Sequence, residues 1–343
     1  MNRRSAVFAK LVPLLLVGFT LQAHAQEKKV TLRLSHNLPA TNALHTDVLL
    51  PWSRSIEKAA GGSVTIRIFP AQQLGATKDH YNLARDGIAD LSLYVLGIEP
   101  GRFPIVGAAD MPFLLSDSSK GSRALHEWYL PHANQEMPDV KVCTVMYDAG
   151  GTIHSRGPIR TPADMKGVTI RTANLPAANY FRAAGAAPVQ MAATDAAEAA
   201  ERGMVDAIMF PWSLLKGLGA DRALKHHLDT GFYFLGTAIL MNTKSYEKLG
   251  DSQRKIIDDH CNADWAEKLS KSWYANDQKG REVLAADRSH TLHTLNDAEI
   301  VEWKALSATL QKDWEKSISA SGRDGAAIFN DLKQRLQKYG AAH

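Results

Sequence analysis

Few residues of this chain are spaced for catalysis. It contains no GxSxG elbow, no Walker loop, no HExxH and no CxxC. Its glycines are scattered and build no phosphate cradle. The close histidine pairs are His226-His227 and His290 with His293. Both fall in polar segments that read as exposed and without carboxylate or thiolate neighbours, so no metal site is expected there. Two groups could serve as a base, Asp164 and His45. Asp164 reads better as part of a turn (TPADMKG), and His45 as a helix-start residue. The sequence therefore offers no positive reason to propose an enzyme, and none for a cofactor.

Composition narrows the class further. The chain has 343 residues, with 40 basic and 36 acidic side chains. Arg3, Arg4 and Lys10 precede or flank the apolar run Leu11 to Phe19, and Ala23-His24-Ala25 follows. That order is the pattern of a secretory signal peptide, with cleavage expected after Ala25 and a periplasmic destination. The segment supplies three basic residues and no acidic ones, so the remaining chain is nearly neutral at 37 against 36. No basic run or basic-aromatic stripe points to nucleic acid. No later apolar stretch approaches the ~20 residues that span a bilayer. Cys143 and Cys261 could pair in an oxidising compartment. Cys143 lies in an apolar strand-like run and Cys261 on an apolar helical stripe, which favours two separate buried thiols.

The elements alternate. Strands are expected at Val30 to Ser35, Val64 to Phe69 and Ala89 to Val95, with helices at Thr46 to Ala60 and Lys78 to Asp86 between them. A helix from Ser119 to Tyr129 and a strand from Val140 to Tyr147 follow. After Gly150-Gly151 a second such unit begins: strands at Thr152 to Ser155, Val168 to Arg171, Pro188 to Met191 and Asp206 to Phe210, with helices at Leu175 to Ala184 and Thr194 to Arg202. A strand at Gly236 to Asn242 comes next. Ile257, Cys261, Trp265, Leu269 and Trp273 recur every fourth residue, predicting one long helix from Ser252 into the 280s that bridges two lobes. Asn296 and Glu299 form a capping-box pair opening a further helix, and a last helix covers Ala326 to Tyr339. The pattern is a layered α/β fold.

The stretch from Pro158 to Trp212 carries a specific ordered set: Asp164, Lys166-Gly167, Ile170-Arg171, Gly185-Ala186, Pro188, Met191, Gly203 and Val205-Asp206. Ser35-His36, Gln73-Leu74-Gly75 and Pro112-Phe113-Leu114 extend it toward the N-terminus. The set resembles the DctP-type substrate-binding proteins of TRAP transporters over nearly all of the chain after the signal. The resemblance implies two α/β lobes with a ligand cleft between them and a long helix spanning both. The expected division is residues 1–25 signal peptide, 26–148 plus 237–280 lobe I, and 149–236 plus 281–343 lobe II. It also implies a small organic acid as ligand and membrane subunits of a transporter as partners.

Arg171 matches the arginine that family members use to hold a ligand carboxylate. A guanidinium fork suits that task because it pairs bidentately and stays charged. Asn37, Thr77 and Asn174 match polar pocket positions. Departures from the sialic acid-binding members point to a less polar cleft: Gly151 stands where those carry a second arginine, and Phe210 where they carry a pocket asparagine. Tyr94 falls in a run that is polar in those members, and Phe232 falls near their histidine. With Trp212, these residues predict an aromatic wall. The expected ligand is an aromatic or bulky apolar monocarboxylate. A 2-oxo acid, a C4-dicarboxylate, a periplasmic enzyme acting on such acids, and a sensory partner of a kinase remain as alternatives.

Overall fold

The computed structural model describes residues 28–99 and 101–343; the signal segment expected at 1–25 lies outside the described residues. The chain lays down β1 (Val30–Ser35), α1 (Leu50–Ala59), β2 (Val64–Phe69), α2 (His80–Arg85) and β3 (Leu91–Val95). Then come α3 (Ser118–Glu136) and β4 (Val140–Tyr147). Alternating side chains on β1 put Leu32 and Leu34 inside, as period-two patterning requires. β1 pairs in parallel with β2 and β3.

A second layer follows with β5 (Thr152–Ser155), β6 (Thr169–Thr172), α4 (Leu175–Ala183), β7 (Ala187–Gln190) and α5 (Ala193–Glu201). Next are β8 (Ala207–Phe210), α6 (Trp212–Leu218) and β9 (His226–Leu228). The chain then returns to the first sheet as β10 (Gly236–Asn242), which runs antiparallel between β3 and β4. The sheet orders are β2-β1-β3-β10-β4 and β11-β9-β5-β8-β6-β7, where β11 is Thr291–His293. This is the expected two-lobed α/β architecture. The two connections between sheets run side by side: the Asp148 N–H donates to the Leu235 carbonyl at 2.9 Å, and Gly151 bridges Tyr233.

The remaining helices tie the two sheets together. They are α7 (Thr243–Glu247), α8 (Asp251–Asp259), α9 (Ala263–Ala286), α10 (Asp297–Ala320) and α11 (Gly325–Lys338). α9 packs Leu269 and Trp273 into the first core and Leu284 into the second. α10 likewise joins the two other cores, with Ile318 in one and Trp303 in the other. Its Asn296 and Glu299 close the expected reciprocal cap, at 3.0 and 2.9 Å. Trp52, Trp128 and Trp303 are fully buried, and each indole N–H donates to a carbonyl, of His260, Ile328 and Arg160 respectively. Each buried indole contributes roughly 4 to 6 kcal/mol of gross apolar transfer energy. Among the described residues no helix is long and apolar enough to cross a membrane.

Three expectations are corrected. The long helix is broken: α8 stops at His260, and Asn262 caps α9 by accepting from the Trp265 N–H. The four-residue stripe survives because both helices pack on the same core. The break turns Cys261 out of helical register toward β4, where it joins Cys143 in a disulfide, not two separate thiols. Finally, α11 does not pack with the second sheet. Phe329, Leu332 and Leu336 share a core with Trp128 on the Tyr94 face of the first sheet.

Candidate functional site

The cleft opens where β1, β2 and β3 of one sheet and β6, β7 and β8 of the other end. Carboxyl ends of parallel strands are where open α/β folds present their ligand sites. A cavity of about 360 Å³ lies there.

Arg171 reaches it because β6 alternates. Ile170 points into the second core and Arg171 to the cleft face. The neighbouring strands then fix the guanidinium. Its Nε and Nη2 donate to the Met191 carbonyl beyond β7, at 3.2 and 2.9 Å. Nη1 reaches toward the Met209 carbonyl of β8 at 3.5 Å. The Phe210 ring lies 4.8 Å beneath. Each terminal nitrogen keeps one N–H unused, and together these suit a carboxylate fork. Arg171 is 5 % exposed, and no carboxylate of the described residues forms an ion pair with it. Burial pulls its pKa down to about 10, so it remains a cation at neutral pH.

The wall around this charge is mostly apolar. Leu93, Val95, Leu214, Leu235, Met209 and Trp273 line it with Phe210. Polar groups interrupt it, Asn42, Gln190 and Thr237 among them. Asn37 follows β1 and lines the cavity. Thr77 lines it too, and both its backbone N–H and its hydroxyl donate to Gln72 Oε1, at 2.9 and 3.1 Å. Gln72 itself faces the cavity from a loop where Ala71 and Gln72 adopt φ of 51° and 61°. Left-handed non-glycine backbone is strained and concentrates at ligand clamps. Asp148 lines the cavity from the crossing segment, and its burial pushes its carboxyl up to about 7. Ser213 opens α6 at the cavity, its N–H donating to Asp277 Oδ1 at 2.7 Å.

The structure brings Arg171, Asn37, Thr77 and Phe210 to the cavity. Four other expected residues lie elsewhere. Tyr94 points to the opposite face of β3 from Leu93 and Val95; it packs on Tyr81 and Phe103, and its hydroxyl donates to Glu99. Trp212 lies against His154 and His227, while its neighbours Pro211 and Ser213 face the cavity. Phe232 stacks between Phe113 and Trp303. Asn174 caps α4 and is held by Asp110 and Tyr233, at 2.5 and 2.6 Å. Strand alternation and capping decided these positions.

The sequence reading missed Gln72, Asp148 and Trp273. Gln72 adjoins the matched Gln73-Leu74-Gly75, and Asp148 precedes the Gly150-Gly151 break, so both carried a local signal. Asp164 acts as a cap, accepting from the Arg160 and Thr161 N–H groups, and His45 pairs with His36 outside the cavity wall.

The histidine pairs are not exposed. β9 and β11 pair in parallel and bury His227 beside His290. His154 Nδ1 lies 2.8 Å from His227 Nδ1, and His227 Nε2 lies 2.8 Å from His290 Nδ1. His293 does have a carboxylate neighbour, Glu299, at 3.0 Å.

Comparison with known proteins agrees with this architecture. A marine metagenome TRAP solute-binding protein from an unidentified ocean microbe, specific for aromatic acid ligands and bound to 3-hydroxybenzoate, is 29 % identical; it superposes with a TM-score of 0.87 over 91 % of this chain and 99 % of that one. A TRAP solute-binding protein of Rhodoferax ferrireducens T118, with copurified benzoate, is 25 % identical with a TM-score of 0.87 over 91 % and 99 %. One from Bordetella bronchiseptica, holding (R)- and (S)-mandelate, is 25 % identical with a TM-score of 0.84 over 90 % and 99 %. Residues 34–317 match the DctP model, bacterial extracellular solute-binding protein family 7, and the chain belongs to that family.

Proposed function

We propose that this solute-binding protein captures a monocarboxylate with an aromatic or bulky apolar body, the acid on Arg171 and the body against Phe210, Leu93, Val95 and Trp273. One observation carries the reading: a buried guanidinium with no acidic partner among the described residues faces a cavity whose walls are largely apolar. An unpaired buried charge is costly, and a ligand carboxylate relieves that cost. The neighbours that hold 3-hydroxybenzoate, benzoate and mandelate support the same class.

In this reading the protein performs no chemistry. Closure of two lobes, divided near residues 148–149 and 236–237, sequesters the solute and presents a surface to transporter membrane subunits. Asn37 and Thr77 orient the ligand from the first lobe, and export proceeds with cleavage after Ala25. Lys78 stands exposed at the cavity rim, which keeps a C4-dicarboxylate as the comparator ligand.

Isothermal titration with benzoate, 3-hydroxybenzoate, mandelate, pyruvate and succinate tests the class. The aromatic acids should bind more tightly and be recovered unchanged. Tighter binding of succinate or pyruvate, or turnover of any of them, would overturn the reading.

A further inference from the structure

Asp148 sits where the chain leaves β4 for the second sheet. It is 4 % exposed, yet it lines the cavity. Its two oxygens differ. Oδ1 accepts the N–H groups of Gly150 and Leu235, both at 3.0 Å. Oδ2 receives no hydrogen bond from the described residues, and it is not among the polar atoms sealed away without a partner. It therefore opens on the cavity. Two donors on Oδ1 also fix any proton on Oδ2, where it points at the ligand space.

The surrounding charges decide when that proton is present. Asp110, Tyr233 and Asp277 face Asp148 from the first lobe, the crossing segment and α9. The positive groups lining the same cavity are Arg171, which is buried, and Lys78 at the rim. One buried guanidinium neutralises one carboxylate. When a solute carboxylate occupies Arg171, an ionised Asp148 would be a second buried negative charge with no buried cation left for it. Burial already holds its carboxyl at about 7, and the incoming charge raises it further.

We infer that Asp148 is a second ligand-binding group, which takes up a proton as a solute carboxylate docks on Arg171 and donates its Oδ2–H to an oxygen of that solute. The proton comes from solvent, and no covalent bond changes. The inference rests on the carboxylate half of the proposed function and not on the aromatic half. Affinity should be flat just below neutrality and weaken by up to about tenfold per pH unit above it.

Titration calorimetry at pH 8 in phosphate and in Tris, whose ionisation heats differ widely, counts the protons. Benzoate, 3-hydroxybenzoate and succinate are the probes. The wild type should take up close to one proton per acid bound. Asp148→Asn keeps an acceptor for Gly150 and Leu235 and places a permanent N–H donor in the cavity. It should take up none, and it should bind at pH 8.5 at least about tenfold more tightly than the wild type. Binding of 3-hydroxybenzoate with no proton uptake would overturn the inference and leave the proposed function standing. Succinate binding with one proton, without binding of the aromatic acids, would do the reverse. Unchanged proton uptake in Asp148→Asn would assign the proton to another group and overturn the inference.

Discussion

The Arg171 guanidinium lies 4.8 Å from the centre of the Phe210 ring, and both line the same cavity. The two residues come from adjacent strands of one sheet, β6 and β8. An aromatic face under a cation supports it without neutralising it. The two carbonyls on its other nitrogens also leave its full charge in place. The site thus holds a positioned cation that forms no ion pair with a carboxylate of the described residues.

Arg171→Ala should lose about 2 to 5 kcal/mol of carboxylate affinity, which is roughly a 30-fold to several-thousand-fold rise in Kd. Arg171→Lys should also fail to restore tight binding, because an ammonium cannot hold Met191 and a carboxylate with one planar fork. Calorimetry with 3-hydroxybenzoate measures both. Near-wild-type affinity in Arg171→Ala would remove the anchor.

The place of Arg171 at the cavity was legible in the sequence because it sits inside an ordered motif set. The walls were less so. A strand's residues point alternately to two faces, and which face meets the cleft depends on the opposite lobe. Tyr94 and Leu93 are neighbours in sequence, yet Tyr94 enters the helix-side core and Leu93 lines the cavity. A bulky aromatic in a pocket-forming run is therefore weak evidence for a pocket contact. Helix continuity was misread for a related reason. The four-residue stripe from Ile257 to Trp273 reports the buried face, and it cannot report the break at His260 to Asn262. Asp148 carried only the weak local signal of the Gly150-Gly151 break, because its place at the cavity is set with Leu235, 87 residues away.

The disulfide makes a second prediction. Cys143 and Cys261 close a loop with a sequence separation of 118. Chain-entropy arguments assign such a loop about 4 to 5 kcal/mol of stabilisation. Cys143→Ser/Cys261→Ser should lower Tm by several degrees, and reductant should do the same to the wild type. Equal thermal unfolding with and without reductant would show that the bond contributes little. Export to an oxidising compartment is consistent with the bond.

The buried histidines predict acid lability. His154 Nε2 must donate to the Phe210 carbonyl, 3.1 Å away, so its Nδ1 accepts from His227. His227 Nε2 then accepts from His290, and His290 Nε2 accepts from the Lys225 ammonium. Every tautomer is fixed from the two ends, and all three rings are neutral. Burial holds His154 down at about 3 and His227 at about 2. In the unfolded chain each titrates near 6.5, so their contribution is complete above that pH and is lost as pH falls toward the folded values. Denaturant midpoints should decline from pH 6.5 to pH 4. Imidazole nitrogen shifts should show neutral His154 and His227 at pH 5. Charged rings at that pH would contradict the chain.

Gly280 makes the last prediction, because it sets how closely α9 approaches α6. A Cβ built on Gly280 would fall 2.8 Å from the Ser213 nitrogen and 3.0 Å from the Trp212 carbonyl carbon. Both are backbone atoms and cannot swing aside. Ser213 is also held by Asp277, one turn earlier on α9, so the two helices are pinned at that spacing. Gly280→Ala must push α6 away, and α6 carries Ser213 and Leu214 to the cavity wall. Overpacking of this kind costs about 1 to 3 kcal/mol, which lowers Tm by roughly 1 to 5 °C in a chain of this size. The displaced wall should also weaken 3-hydroxybenzoate binding measurably, although Gly280 itself does not line the cavity. A variant with wild-type Tm and wild-type affinity would mean that the α6–α9 spacing is not what shapes the site.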